Sequence, residues 1–191
     1  MEDAIDPRAL RIETHAAADD NHIAEAAKRN PLAFGELYER YYTRIYRYVY
    51  HRVGAAVDAE DITAVVFMKA LESLPSFQSR RNGFAPWLFR IARNSVVDHY
   101  RRRKKQCSLD AAEHKASDAD PVGLVLLSER RSELHTLLEC LSNDQRDVVL
   151  LRYSADLSFP EVAYALGKNE PAVRMLLHRA LRKLKRVVLD V

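Results

Sequence analysis

The chain has 191 residues, 48% of them hydrophobic, and 30 basic against 27 acidic side chains give a net charge of +3. That much apolar material supports one or two packed domains and excludes a wholly disordered chain. Five dispersed glycines and the lack of alternating apolar and polar runs exclude a β-rich fold, so an all-α protein is expected.

Charge is distributed unevenly. Acids gather in the first twenty residues and from Asp110 to Asp120, whereas bases cluster at Arg101–Lys105 and Arg174–Arg186. Local basic patches of this kind suit a phosphate backbone. The two cysteines, Cys107 and Cys140, have no metal-site spacing and read as reduced thiols. No signal peptide or membrane-crossing run is apparent, so a cytoplasmic protein without direct membrane insertion is expected. The glycines form no phosphate-binding loop, and the seven histidines no H-x-x-x-H pairing. No catalytic constellation, cofactor, metal site or small-molecule substrate is therefore expected, and the chain does not read as an enzyme.

In chain order, residues 1–30 are rich in alanine and acids and read as a mostly disordered tail, with a short helix near Ile23 to Lys28. Asn30-Pro31 reads as a helix cap followed by proline at the first helical position. The helix it opens runs to about Arg52, with Phe34, Leu37, Tyr38, Tyr41, Ile45 and Tyr48 or Val49 as its core stripe. Six tyrosines lie between Tyr38 and Tyr50, too many for one buried face, so some sit at the core margin with hydroxyls outward. A second helix starts at Asp58 and reaches Leu74, buried through Ile62, Val66, Phe67, Ala70, Leu71 and Leu74. Asp58, Glu60 and Asp61 fall in its first turn, where a helix dipole favours negative charge. Pro75 to Gly83 reads as a loop. A third helix from about Pro86 turns Phe84, Leu88, Ile91, Ser95 and Tyr100 inward, beside Trp87. Its end, Arg101 to Lys105, carries more positive charge than capping requires. With Arg93, Asn94 and His99 it forms a basic flank, suited to nucleic acid or simply solvated.

Residues 106–120 are polar and net acidic, and read as a linker between a first domain at 31–105 and a second at 121–191. Asp120-Pro121 opens a helix through about Cys140, striped by Leu124, Leu127, Leu134, Leu137, Leu138 and Leu141. Ser142 and Gln145 form a capping box, followed by Val148, Val149 and Leu151. Ser158 and Glu161 form another, opening a short helix that Gly167 stops. Asn169 then caps a last helix, with Pro171 in its first turn. Val173, Leu176, Leu177, Ala180, Leu181 and Leu184 share one face of it. Arg174, His178, Arg179, Arg182, Lys183, Lys185 and Arg186 lie outside that stripe, with no acid among them. A short helix, a glycine turn and a second helix with a one-signed basic face make a helix-turn-helix pattern, in which the second helix enters a major groove. An ordinary helical hairpin with a solvated basic face would have the same pattern.

On these residues the chain resembles the extracytoplasmic-function (ECF) group of bacterial sigma-70 factors, from about Phe34 to Lys185. FGELYERYYTRIYRYVYHRV is similar to the group's opening helix. AEDITAVVFMKALESLPSF resembles the segment that docks on the clamp coiled coil of the polymerase largest subunit. WLFRIARNSVVDHYRRRKK resembles the reader of the downstream promoter element, and LSFPEVAYALGKNEPAVRMLLHRALRKL the upstream reader. The resemblance implies two small helical domains, region 2 and region 4, that direct promoter recognition, melting and initiation. It implies that Arg174, Met175, His178, Arg179, Arg182 and Lys183 meet the upstream element. Phe77, Gln78, Asn82, Phe84, Arg93, Asn94, His99, Arg101 and Arg102 would meet the downstream element, with the Phe77–Phe84 loop receiving an unstacked base. Asp58, Glu60 and Asp61 would face core polymerase, whose clamp and flap the two domains would engage. Promoter DNA and an anti-sigma factor are the other implied partners, and the acidic linker would thread the RNA channel. The chain departs from the group at Ala64 and Val65, where glutamine and an acid are usual, and at Pro171, Met175 and Leu176 in the recognition helix. Two rival readings are a helix-turn-helix regulator that binds DNA alone and a sigma-like decoy that sequesters an anti-sigma factor.

Overall fold

The computed structural model describes residues 19–79, 83–109 and 137–189, with backbone alone at 105–109. The greater part of the expected fourth helix, 121–136, and Asn82 in the loop lie outside the described residues. No strand occurs among the described residues.

Helix α1 covers 19–27. A single 3-10 turn, Pro31–Ala33, then leads into α2, Phe34–Val53. The Asn30 side chain caps the 3-10 turn by accepting from the Leu32 N–H, so the cap acts one turn ahead of the α-helix. Helix α3 spans Ala56–Ser73 and begins two residues before Asp58, from Ala55, with no capping side chain. Helix α4 spans Phe84–Leu109, so the stretch read as the start of the linker continues the helix. Helix α5, Asn143–Val149, runs into a π-helical turn, Leu150–Ser154. Helices α6, Phe159–Leu166, and α7, Glu170–Leu189, close the chain.

The short helix expected near Ile23 to Lys28 is present as α1, but it starts earlier, at 19, and three small or apolar side chains seat it. Ile23, Ala24 and Ala27 are buried on the first body, and Ala24 is wholly inaccessible. Helices α2, α3 and α4 pack around Leu37, Tyr41, Ile45, Tyr48, Val66, Phe67, Leu88 and Phe89. The buried side of α4 is wider than expected: Phe84, Leu88 and Ser95 are inside as expected, Phe89, Ala92 and Val96 join them, Ile91 is half-buried, and Tyr100 is exposed. The reason is that α4 is a shared wall, packing on α2 and α3 and also on α6. Leu71 was expected inside but is exposed, and with Val57, Val65 and Met68 it makes an open apolar face on α3. The tyrosines divide as the periodicity requires. Tyr41 and Tyr48 are buried, while Tyr38, Tyr42, Tyr46 and Tyr50 recur every fourth residue and touch in series along one side of α2.

The second body folds around Leu138, Leu141, Val148, Leu151, Leu157, Val162, Leu166, Val173 and Leu177. Its helix starts are locally specified. Ser142 and Gln145 exchange hydrogen bonds at 3.1 and 3.4 Å, and the Ser158 N–H donates to Glu161 at 2.7 Å. Gly167, at φ +64°, takes the left-handed conformation, and the Lys168 N–H then reaches back to the Ala163 carbonyl at 2.9 Å. Asn169 accepts from the Ala172 N–H at 2.9 Å to start α7. Leu181, expected on the buried stripe, is 40% exposed because the buried line of α7 runs through Val173, Leu177, Ala180 and the half-buried Leu184 and leaves it at the margin.

Candidate nucleic-acid interface and the seam behind it

The recognition face of α7 is built by its register. Val173, Leu177 and Ala180 point into the body, which leaves Arg174, Met175, His178, Arg179, Arg182 and Lys183 exposed. These residues are not equivalent. Arg174 forms a double contact with Glu170, at 3.0 and 2.6 Å, and its guanidinium lies 4.0 Å from the centre of the Phe159 ring. It therefore braces the first turn of α7 against α6. Lys183 donates to the Cys140 carbonyl. Arg179 and Arg182 make no ion pair or hydrogen bond among the described residues, and both project into solvent. Met175, half exposed between them, offers an apolar contact.

The downstream set is more dispersed. Asn94 is exposed, beside an open groove lined by Lys69, Glu72, Ser73, Ile91 and Asp98. Arg101 is largely exposed and pairs with Asp98 at 3.1 Å, and Arg102 is exposed nearby. His99 is half-buried, with Nε2 at 3.7 Å from Asp58. Phe77 and Phe84 are 3% and 1% exposed, so neither offers a ring face for a base to stack on in this conformation. They meet each other edge to face at 5.9 Å, and both contact Trp87, because the loop is anchored through its aromatic ends. Gln78, between them in sequence and beside Phe77, is exposed.

Of the three acids expected to face polymerase, Glu60 and Asp61 are exposed. Asp58 turns instead toward α4, lying 3.6 Å from Arg103 as well as near His99. Its position one turn into α3, rather than at the cap, aims it there.

Arg93 is turned toward the second body. Its Nε lies 3.1 Å from Asp147 and a terminal nitrogen 3.4 Å from Asp144, both on α5 of the second body. Asp147 is 1% exposed and receives the Tyr48 hydroxyl at 2.9 Å. Arg52, 2% exposed, approaches the same carboxylate oxygen at 3.1 Å but at an angle too bent for a hydrogen bond. Burial pushes the Asp147 carboxyl above its ordinary value, against the pull of Arg52, Tyr48 and Arg93. Asp144 moves the other way: the Lys168 ammonium at 2.9 Å, with Arg93 behind it, holds that carboxyl below its ordinary value. Around this seam Arg90 stacks on Tyr164 at 5.3 Å and Arg44 donates to the Ala155 carbonyl of the π turn. Phe89 meets Tyr48 edge to face at 5.7 Å, both fully buried. Burial of such a ring is worth about 1.5–3 kcal/mol, more than a typical exposed ion pair. The first body thus backs the seam with a fully buried pair of rings, and one buried ionic group is set against it.

Sequence reasoning missed the seam, although a signal existed. Arg52 extends the apolar stripe of α2, three and four residues past Val49 and Tyr48, and Asp147 sits beside Val148 on the buried face of α5. Opposite charges at core positions of two helices are partners in search of one another.

Two helical bodies, each with a basic helix and the second ending in a helix-turn-helix, define a DNA-binding protein of the two-module kind. The sequence matches the models for Sigma-70 region 2 over residues 37–106 and Sigma-70, region 4 over residues 131–184. It is 38% identical over 164 residues to the ECF RNA polymerase sigma factor BldN of Streptomyces coelicolor, covering 83% of this chain and 61% of that protein. It is 31% identical over 173 residues to the ECF RNA polymerase sigma factor SigD of Mycobacterium tuberculosis, covering 87% of this chain and 82% of that protein. The structure is similar to CnrH in complex with the cytosolic domain of CnrY, with a TM-score of 0.72 at 25% identity over 90% of this chain and 97% of that one. The fold is also that of the sigma factor RpoE bound to the anti-sigma factor NepR from Bartonella quintana, with a TM-score of 0.67 at 22% identity over 81% and 96% of the two chains. The chain belongs to the ECF group of sigma-70 RNA polymerase sigma factors, which act in transcription initiation. No described helix is long and apolar enough to cross a membrane.

Proposed function

We propose that this chain joins core RNA polymerase in the cytoplasm and brings it to promoters by gripping DNA at two places, acting as an initiation factor and not as a catalyst. Helix α7 enters the major groove of the upstream element, where Arg179 and Arg182 have the freedom to reach guanine edges or phosphates. Met175 and His178 add apolar and mixed contacts. Arg174, braced by Glu170 and Phe159, first sets the angle of the helix and contacts DNA on giving up Glu170. At the downstream element Asn94, Arg101 and Arg102 meet the backbone, Gln78 and Asn82 contact an unpaired base, and His99 borders them. Glu60 and Asp61, beside the exposed Val65, Met68 and Leu71 of α3, face the polymerase clamp. An anti-sigma partner fits the likeness to CnrH held by the cytosolic domain of CnrY.

The observation that carries this reading is the exposed cationic face of α7, set on a capped helix-turn-helix in the same chain as a second basic helix. The test is run-off transcription by purified core polymerase on promoters drawn from a genome-wide library. Specific transcripts are expected only when this protein is added. Transcription from none of them would favour the decoy, and tight binding to a palindrome without polymerase would favour the stand-alone regulator.

A further inference from the structure

Helix α1 straddles the two ends of the segment between α3 and α4. At one end Asn21 Oδ1 accepts from the Phe84 backbone N–H at 2.8 Å, across 63 positions of sequence. Phe84 is the first residue of α4, and the residue before it is Gly83, at φ +83°, which has no side chain with which to cap. The first N–H groups of a helix have no partner within it. Asn21 supplies one from another helix, and its amide stands 3.7–3.8 Å from where a Cβ on Gly83 would lie.

At the other end Lys28 Nζ donates to the Phe77 carbonyl at 2.6 Å and sits 5.6 Å from the centre of the Phe77 ring. Glu25 steadies that ammonium at 2.8 Å and also bonds to Ser79. Asn21 and Lys28 are seven residues apart, about 10 Å along a helix. Their spacing thus matches one helix to two loop ends. Helix α1 is itself fixed to α2: Asp20, 7% exposed, accepts from the Tyr41 hydroxyl and from Arg40.

Burying α1 requires none of these polar contacts, since Ile23, Ala24 and Ala27 already seat it. Asn21 and Lys28 both end on main-chain groups, so they fix the path of the backbone at Phe77 and at the start of α4. We infer that Asn21 and Lys28 are positioning residues for single-strand capture, holding the two ends of this segment so that Gln78 is presented at a set place relative to α4. This rests on the reading of Gln78 as a contact to an unpaired base. The ligand is a base of the separated strand of DNA. The two residues act through backbone and do not touch it.

The test uses the full chain assembled with core polymerase. Asn21→Leu removes the acceptor, Asn21→Asp keeps it, and Lys28→Met keeps the stem and removes the charge. Three quantities are read for each: affinity for a single-stranded oligonucleotide spanning the downstream element, affinity for an upstream duplex, and permanganate reactivity of thymines on an intact promoter. Losing a helix cap implies about a fivefold loss of strand affinity for Asn21→Leu, with recovery in Asn21→Asp. Lys28→Met should lose less, and upstream duplex affinity should stay within about twofold in all three, because α7 is untouched. Equal losses on strand and duplex would make these residues merely structural and overturn the inference. So would wild-type strand affinity in both Asn21→Leu and Lys28→Met. If Gln78→Ala weakens strand binding while those two variants do not, only the positioning role fails. If Gln78→Ala is also without effect, the reading beneath it fails as well.

Discussion

Two arginines of α7 and two of α4 stand in opposite states. On α7, Arg179 and Arg182 project into solvent with no partner among the described residues. On α4, Arg93 is bound to Asp144 and Asp147, and Arg90 stacks on Tyr164. On the proposed reading Arg179 and Arg182 would meet DNA directly, whereas Arg93 would first have to give up two carboxylates of its own chain. The same positive charge would then serve two anions, one intramolecular and one external. Which of them wins depends on how firmly the two bodies are joined.

The largest effect is expected at the carboxylate that joins them. Asp147→Ala strands Arg52, which is 2% exposed, and opening a buried pair from one side costs about 3–5 kcal/mol. Denaturant titration should show that loss, and small-angle scattering a larger radius wherever the chain stays folded. A loss below about 1 kcal/mol would mean that the packing of α4 on α6 and of α2 on the π turn holds the bodies alone. Replacing Arg52 by Met and Asp147 by Leu, together with Tyr48→Phe so that no buried hydroxyl loses its acceptor, sharpens the point. This triple variant should fold with near wild-type stability, since apolar side chains substitute well for a buried ion pair. It also deprives Arg93 of its closer anion, so strand affinity at the downstream element should rise. Unchanged strand affinity would show that Arg93 is not limited by Asp147.

A second comparison sets Arg179→Ala against Arg93→Ala in holoenzyme, by fluorescence anisotropy across a salt series. Arg179→Ala should cost about 1–3 kcal/mol at one upstream position if it reads a guanine, or lower the salt slope by about one if it touches phosphate. Arg93→Ala should cost less, because the wild-type side chain spends part of its binding free energy on leaving Asp144 and Asp147. An Arg93 effect as large as that of Arg179 would break the contrast.

How far the sequence reveals these features follows from how local they are. The helix-turn-helix was legible because its signals lie within a few residues of one another: Ser158 with Glu161, Gly167, and Asn169 with Ala172. The core stripes of α2 and α3 were legible for the same reason, apart from Tyr38, which is 42% exposed, and Leu71. The rest depends on partners far away in sequence. Asn21 caps a helix 63 residues on, Tyr48 finds Asp147 across 99 positions, and Arg44 finds Ala155 across 111. No periodicity reports such pairs. Phe77 and Phe84 were assigned to base stacking because an aromatic in a loop suits that task, but the loop's ends fold inward and bury both rings. The helix near Ile23 was legible but its seating was not, because alanine carries little apolar area, and Ala24 and Ala27 are nonetheless buried.

The smallest expected effect concerns the outer edge of the seam and its dependence on pH. Asp144 is held below its ordinary carboxyl value first by Lys168 and then by Arg93. A carboxylate whose folded pKa is depressed lends stability above its unfolded pKa and loses it as pH falls through the folded one. Wild type should therefore melt slightly above Asp144→Asn at pH 6, and the gap should close only as pH drops below the ordinary value of 3.8. Asp144 is 40% exposed, so water screens its pairs and the gap amounts to no more than a few degrees. Repeating the comparison in an Arg93→Ala background separates the two cations. A gap that survives there belongs to Lys168 and lies within the second body. A gap that disappears belongs to Arg93, and makes Asp144 the second anion that the downstream strand has to displace.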